Sequence, residues 1–169
     1  IMDIAKKLPK QRQNLMFSAT MPPKIRKLAS DILVNPVSIS LSISKPAAGI
    51  TQRAYMVHDR QKIALTKEIL KDKDLNHVLI FCSTKKSVKE LTRSLVKAKL
   101  PAHDIHSDLD QEEREKVLLD FKNKKVKILV ATDILSRGID IKGIELVINY
   151  EVPNDAEDYV HRIGRTARA

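Results

Sequence analysis

Two short runs constrain this chain more than any other feature: HVLIFCS at 77–83 and VKILVAT at 126–132, apolar on consecutive rather than alternate residues. A strand with water on one face alternates apolar and polar, whereas one apolar throughout is covered on both faces, as in parallel sheets. The segments between and around these runs carry helical spacing. RQKIALTKEILKD (60–72) places Ile63, Leu65, Ile69 and Leu70 at helical intervals, after an extended TQRAYMVH (51–58). Ser83 or Thr84 can cap a helix with the stripe Val88, Leu91, Leu95 and Val96. AHDIH (102–106) reads as a further strand, and Asp110 with Glu113 forms a capping box opening QEEREKVLLDFKN, with Val117, Leu118 and Phe121 as its apolar face. ELVINYE (145–151) is another strand, and a last helix starts near Asp155, beyond Pro153. Strands alternating with amphipathic helices predict an α/β fold, a parallel sheet with helices on both faces in three layers. Ligands of such sheets bind at the carboxyl ends of the strands. Here those ends carry Ser83-Thr84, His106-Ser107 and Thr132-Asp133.

The first 45 or so residues do not join this rhythm. LMFSAT (15–20) reads as a short strand, MPPKIRKLASDIL as a helix with prolines in its first turn, and NPVSISLSI as a β-branched strand. Three elements are too few to bury a core, so residues 1–45 are expected to be the tail of a preceding domain. SKPAAG, with Pro46 and Gly49, reads as the linker (46–50), and 51–169 as the main domain.

The formal charge of +10 favours a polyanion partner or, more plainly, a solvated basic surface. Aromatic residues are only 4% of the chain, which argues against base stacking and directs a nucleic-acid reading to the sugar-phosphate backbone. No apolar run approaches bilayer length, no basic amphipathic helix carries an aromatic face, and IMDIAKKLPKQRQ is not a signal peptide. The one cysteine, Cys82, cannot form an internal disulfide. A cytoplasmic location without membrane association is the expectation.

The chemistry concentrates in YVHRIGRTARA (159–169), where Arg162, Arg165 and Arg168 recur every third residue. Crowded guanidiniums suit phosphate, being planar, permanently charged and bidentate; the alternative is neutralisation by carboxylates such as Glu157 and Asp158. A phosphate cradle is missing. Gly138 and Gly143 match the glycines of G-x-x-x-x-G-K, but Ile144 stands where lysine should be. The five histidines are scattered, so no metal site is expected. Arginines without a cradle fit a separate domain that delivers positive charge to a γ-phosphate held elsewhere.

SAT (18–20), LIFCSTKKS (79–87), HSDLDQEER (106–114), LVATDILSRGID (129–140) and YVHRIGRTAR (159–168) follow one another in that order. Together they resemble motifs III, IV, IVa, V and VI of the DEAD-box ATP-dependent RNA helicases. SAT alone is weak; ATDxxxRGID and HRIGRTxR are strong. The resemblance implies two RecA-like domains with ATP, accompanied by Mg2+, in the cleft between them and RNA across both. This chain would hold the end of the first domain and most of the second, the first domain contributing the P-loop, the Asp-Glu-Ala-Asp carboxylates and most of the Mg2+ coordination.

By the same resemblance, Arg165 and Arg168 contact the γ-phosphate and His161 ties motif VI to the first domain. Arg162 is read as structural, closing a salt bridge inside the domain. Asp140 meets the ribose of ATP, or alternatively caps a turn, while Arg137, with Ser18 and Thr20, serves coupling between domains. Thr84, Arg114, Thr132 and Gly138 are the RNA-backbone candidates, and Gln111 shares the first turn with Arg114, where a helix N-terminus also favours phosphate. Thr84 has a second reading as an N-cap, compatible with the first, and Arg114 one as a partner of Asp110 or Asp108. Ala167 replaces the family's frequent glycine, leaving the arginines in register, and the family continues past position 169 to a final strand, so the sheet is expected to lack an edge strand.

The implied activity is RNA-dependent ATP hydrolysis coupled to local duplex opening in the full-length protein, with the fragment alone inactive. The rival readings are a DNA helicase or translocase, against which His161 argues because many DNA-acting relatives carry glutamine there, and a non-catalytic RNA-binding module.

Overall fold

The computed structural model describes residues 1–18, 21–40, 49–71, 75–133, 141 and 143–166, with Glu157 described by its backbone alone. The chain divides into two compact units, Ile1–Ile43 and Ser44–Ala169.

The first unit holds a short helix α1 (Met2–Ala5) and α2 (Pro23–Ile32). Proline at the first position of α2 costs nothing, because the first-turn amides of a helix have no intrahelical acceptor. The sequence did not signal α1. It did signal strands at LMFSAT and NPVSISLSI, yet the described parts, 15–18 and 35–40, join no ladder, and Asn35 turns at φ 44°. A strand needs a neighbour for its backbone groups and a surface for its side chains, and here Phe17, Val34, Val37 and Ile39 all stand in solvent.

The second unit contains α3 (Asp59–Lys71), β1 (Val78–Cys82), α4 (Lys85–Lys97), β2 (Ala102–Ile105), α5 (Gln111–Lys122), β3 (Ile128–Thr132), β4 (Leu146–Asn149) and α6 (Ala156–Ile163). The four strands form one sheet in the order β2-β3-β1-β4, every described pairing parallel, with Val78 opposite both Ile128 and Leu146. The TQRAYMVH segment before α3, read from sequence as extended, joins no strand and has no regular structure.

Period-two alternation divides the apolar residues of β1 between two cores. Val78, Ile80 and Cys82 pack with Ile128 and Val130 against Val88, Leu91 and Leu95 of α4 and Leu70 of α3. Leu79 and Phe81 face the other way, with Ile105, Leu129 and Ala131 against Phe121 of α5. Both sides are therefore covered, which is the three-layer α/β arrangement the continuous apolar runs required. Val96, expected on the buried stripe of α4, is instead largely exposed, because the helix turns it past the edge of the core. Burial pushes the Cys82 thiol well above its ordinary range, and the nearby Glu151 adds to this, so the sulfur sits in the core as an inert apolar group.

Helices α4 and α5 end in the same way. Leu100 N donates to Leu95 O at 3.0 Å and Lys99 N to Val96 O at 2.9 Å; Lys125 N donates to Asp120 O at 2.9 Å and Lys124 N to Phe121 O at 3.0 Å. These are Schellman closures, normally built on glycine because the turning residue takes positive φ. Lys99 and Lys124 take that place here, at φ 61° and 59°. Replacing either with glycine removes a steric cost of roughly 1–2 kcal/mol and adds backbone entropy to the unfolded chain. The expected net effect of Lys99→Gly or Lys124→Gly is a gain of about 0.5–1 kcal/mol, read by denaturant titration.

Candidate functional site

Because the sheet is parallel, the carboxyl ends of its strands share one edge, and the polar residues following them meet there. Thr84, two residues past β1, caps α4 by accepting from Ser87 N at 3.1 Å. Thr132 closes β3 directly opposite Cys82 of β1. Past β2, a turn leads to α5, which opens with the expected capping box: Glu113 N donates to Asp110 Oδ1 at 2.8 Å and Asp110 N to Glu113 Oε2 at 3.0 Å. Arg114 and Thr84 thus lie past β2 and β1, and Thr132 ends β3, the strand between those two in the sheet.

Arg114 pairs with neither Asp110 nor Asp108. Its Nε and Nη2 both donate to Leu109 O, at 2.9 and 2.6 Å. Asp108 is claimed from across the chain by Lys85 at 2.9 Å and Lys89 at 2.8 Å, two helical positions four apart. Hydrogen bonds from Lys89 and then Lys85 hold its carboxyl down at about 2. Gln111 is turned toward Glu115, to which it donates at 2.7 Å. The capping box uses the first-turn amide that a phosphate would need, and Glu112 and Glu113 add negative charge there, so the α5 N-terminus is less receptive to phosphate than its position suggested.

At the other side of the edge, Arg162 of α6 is 3% exposed and its whole fork is used. Nε donates to Asp133 Oδ1 at 2.6 Å and Nη2 to Asp133 Oδ2; Nη1 donates to Asn149 Oδ1 at 3.1 Å and to Glu151 O at 3.0 Å. The guanidinium also lies 5.1 Å from the centre of the Phe81 ring. One side chain therefore ties the ends of β3, β1 and β4 to α6, in keeping with the structural role expected of it, with Asp133 as the carboxylate that neutralises it. Asp133, Asn149 and Glu151 had not been singled out beforehand as its partners; their positions at strand ends were the available signal.

Beyond Arg162 the helix stops at Ile163, and Gly164 and Arg165 continue as a turn, with Arg165 N bonded to Arg162 O at 3.3 Å. A Cβ at Gly164 would press on Val160 O at 3.1 Å, so the close turn wants glycine. Arg165 is largely buried and His161 half-buried. Tyr159 Oη donates to Gln52 at 2.6 Å, tying α6 to the segment that enters the domain. Ser18 ends the first of the two described stretches of the first unit. Thr20, Arg137, Gly138, Asp140 and Arg168 lie outside the described residues.

The strand-end hydroxyls and the buried arginine hub lie within a segment, residues 61–169, that matches the family described as helicase conserved C-terminal domain. The chain belongs to this family. As a helicase C-terminal domain it is also similar over its whole length to DEAD-box ATP-dependent RNA helicase 40 of Oryza sativa subsp. japonica, at 45% identity, and to DEAD-box ATP-dependent RNA helicase 14 of Arabidopsis thaliana, at 43%. It spans 22% and 28% of those two proteins. Among solved structures, S. cerevisiae Dbp5 bound to RNA and ADP BeF3 has a TM-score of 0.84 at 31% identity, over 98% of this chain and 44% of that one. A DEAD box protein from the hyperthermophile Methanococcus jannaschii has a TM-score of 0.68 at 41% identity, over 99% of this chain and 45% of that one. The three-layer parallel sheet is the RecA-like fold of these structures. No helix among the described residues is long and apolar enough to cross a membrane.

Proposed function

We propose that the chain is part of a DEAD-box RNA helicase, an RNA-dependent ATPase that opens short duplexes by gripping one strand's backbone. The observation that carries this reading is the pair of strand-end hydroxyls, Thr84 and Thr132, on the same sheet edge as an arginine helix fixed through Arg162, in a chain alike throughout to proteins named DEAD-box helicases. Residues 1–45 would be the end of the first RecA-like domain, 46–50 the linker and 51–169 the second domain.

In this reading Arg165 and Arg168 meet the γ-phosphate of ATP and stabilise the charge that develops as it transfers, the work a guanidinium fork does best. His161 joins them to the first domain, Asp140 takes a ribose hydroxyl, and Arg137, Ser18 and Thr20 couple the two domains. Thr84, Arg114, Thr132 and Gly138 take RNA phosphates and sugars. For Arg114 this needs its guanidinium to keep donors free while two rest on Leu109 O, which five N–H groups allow. Mg2+ would enter with the nucleotide and be held by the first domain; among the described residues no three His, Cys, Asp or Glu side chains gather to bind a metal. A cytoplasmic location accords with the single buried cysteine.

Strand displacement tests this reading. Full-length protein with ATP should separate a short RNA duplex bearing a single-stranded overhang, and should fail to do so with a non-hydrolysable analogue under multiple turnover. If about three phosphates are gripped without base contacts, RNA affinity should fall about twentyfold between 50 and 200 mM salt. Separation that needs no ATP, or affinity indifferent to salt, would sink it.

A further inference from the structure

The parallel ladder between β1 and β4 does not end as its geometry alone would end it. Tyr150 N donates to Phe81 O at 2.9 Å, with Phe81 opposite Asn149. Carrying that register two residues on sets Ser83 opposite Glu151, and Ser83 N should then find the main-chain oxygen of Tyr150. It donates instead to the carboxylate of Glu151, Oε2, at 3.0 Å. A side chain takes over the ladder at the point where the two chains part, Ser83 toward α4 and Glu151 toward Pro153 and α6.

Glu151 also faces the other way. Its main-chain oxygen accepts from Arg162 Nη1 at 3.0 Å. One residue thereby joins two things the strands alone leave separate: the Ser83-Thr84 turn that opens α4, and the guanidinium that fixes α6, with His161 and Arg165 on it or just past it. The carboxylate is half-buried and sits beside a turn that is itself exposed. An acidic group is an unfavourable neighbour for an RNA phosphate, so its presence there calls for a structural return, and the bond to Ser83 N supplies one.

We propose that Glu151 is a positioning residue that holds the RNA-facing turn at 83–84 in register with the arginine helix. This rests on the reading of Thr84 as an RNA contact. The working group is the acceptor oxygen at the end of a two-methylene arm, not the negative charge, since the donor is a neutral amide. Glutamine presents an acceptor oxygen at the same reach; aspartate falls one methylene short; alanine has none.

The test is RNA-stimulated ATP turnover by the full-length protein, measured against RNA concentration for wild type and the variants Glu151→Gln, Glu151→Asp and Glu151→Ala, with thermal unfolding alongside. Alanine and aspartate should raise the apparent KM for RNA up to about tenfold, the order expected for one lost hydrogen bond whatever the charge of its acceptor, with kcat within about threefold of wild type. Glutamine should restore KM to within about threefold. An unchanged KM in a variant that merely melts earlier would overturn the proposal, as would a glutamine variant as impaired as alanine. Should alanine fail to fold, aspartate and glutamine decide the matter by the same criteria. Wild-type protein that shows no stimulation by RNA would defeat the underlying functional reading and this proposal with it, whereas normal stimulation with an unmoved KM in the variants defeats this proposal alone.

Discussion

Arg165→Ala in the full-length protein should abolish RNA-stimulated ATP hydrolysis, by about 10³- to 10⁵-fold, while RNA affinity stays within about twofold of wild type. The size follows from where the charge acts. A guanidinium aimed at the transferring phosphoryl group stabilises charge that exists mainly in the transition state, so its loss appears in kcat rather than in binding. The split follows from the fold: Arg165 lies in the turn after α6, whereas the proposed RNA contacts follow β1, β2 and β3. Arg165→Lys should recover little, since a point charge does not replace a bidentate fork. Single-turnover hydrolysis and an RNA-binding titration on the same preparations check both halves; near-wild-type turnover would remove Arg165 from the chemistry.

Arg162→Ala should destabilise the second unit about as much as truncating one of its buried core side chains. The side chain is 4% exposed and its partner Asp133 is 31% exposed, so solvent screens the pair little. Removing the guanidinium takes a donor from the Asp133 carboxylate, the Asn149 amide oxygen and the Glu151 carbonyl together. Breaking one partner of a buried pair costs about 3–5 kcal/mol, and the partial exposure of Asp133 favours the lower figure. For a unit of this size, about 3 kcal/mol corresponds to a fall in Tm of roughly 10 °C. Arg162→Lys should retain only a minority of the stability, because one ammonium cannot serve Asp133, Asn149 and Glu151 at once. Thermal unfolding of the two variants reads the effect directly. A loss of turnover without a loss of stability would mean that Arg162 meets the nucleotide rather than the sheet.

The contrast between these two arginines marks where sequence reading stops. At 162, 165 and 168 they look equivalent, spaced three apart as along one helix face. The helix ends at Ile163, however, so Arg162 points down onto the strand ends while Arg165 leaves with the turn. Where a helix ends is set by tertiary packing as much as by local residues, and spacing does not report it. The core, by contrast, was plain in VLIFC and VKILVAT, because continuous apolar runs of strand length have few solutions other than a strand buried on both faces. The caps at Thr84 and Asp110 were also plain, being local chemistry across three residues.

Non-local competition hid the rest. Arg114 had two nearby carboxylates in sequence, yet Asp108 is held by lysines more than fifteen residues back, so the guanidinium turned to a carbonyl. Glu151 looked like an ordinary polar residue after a strand; its role appears only where the ladder between β1 and β4 runs out. The αL lysines at 99 and 124 were invisible for a different reason. Glycine marks such closures in most chains, and this one has only four glycines to spend. In the first unit, β-branched residues suggested strands, but propensity without a partner strand builds no ladder among the described residues.

In the proposed function, this domain belongs to an enzyme whose ATP turnover is switched on by RNA. The most direct test is steady-state ATP hydrolysis of the full-length protein alone, with single-stranded RNA, and with DNA of the same sequence. Little turnover by the protein alone, strong stimulation by RNA, and little stimulation by DNA are expected. Equal or greater stimulation by DNA, or turnover indifferent to both, would contradict it.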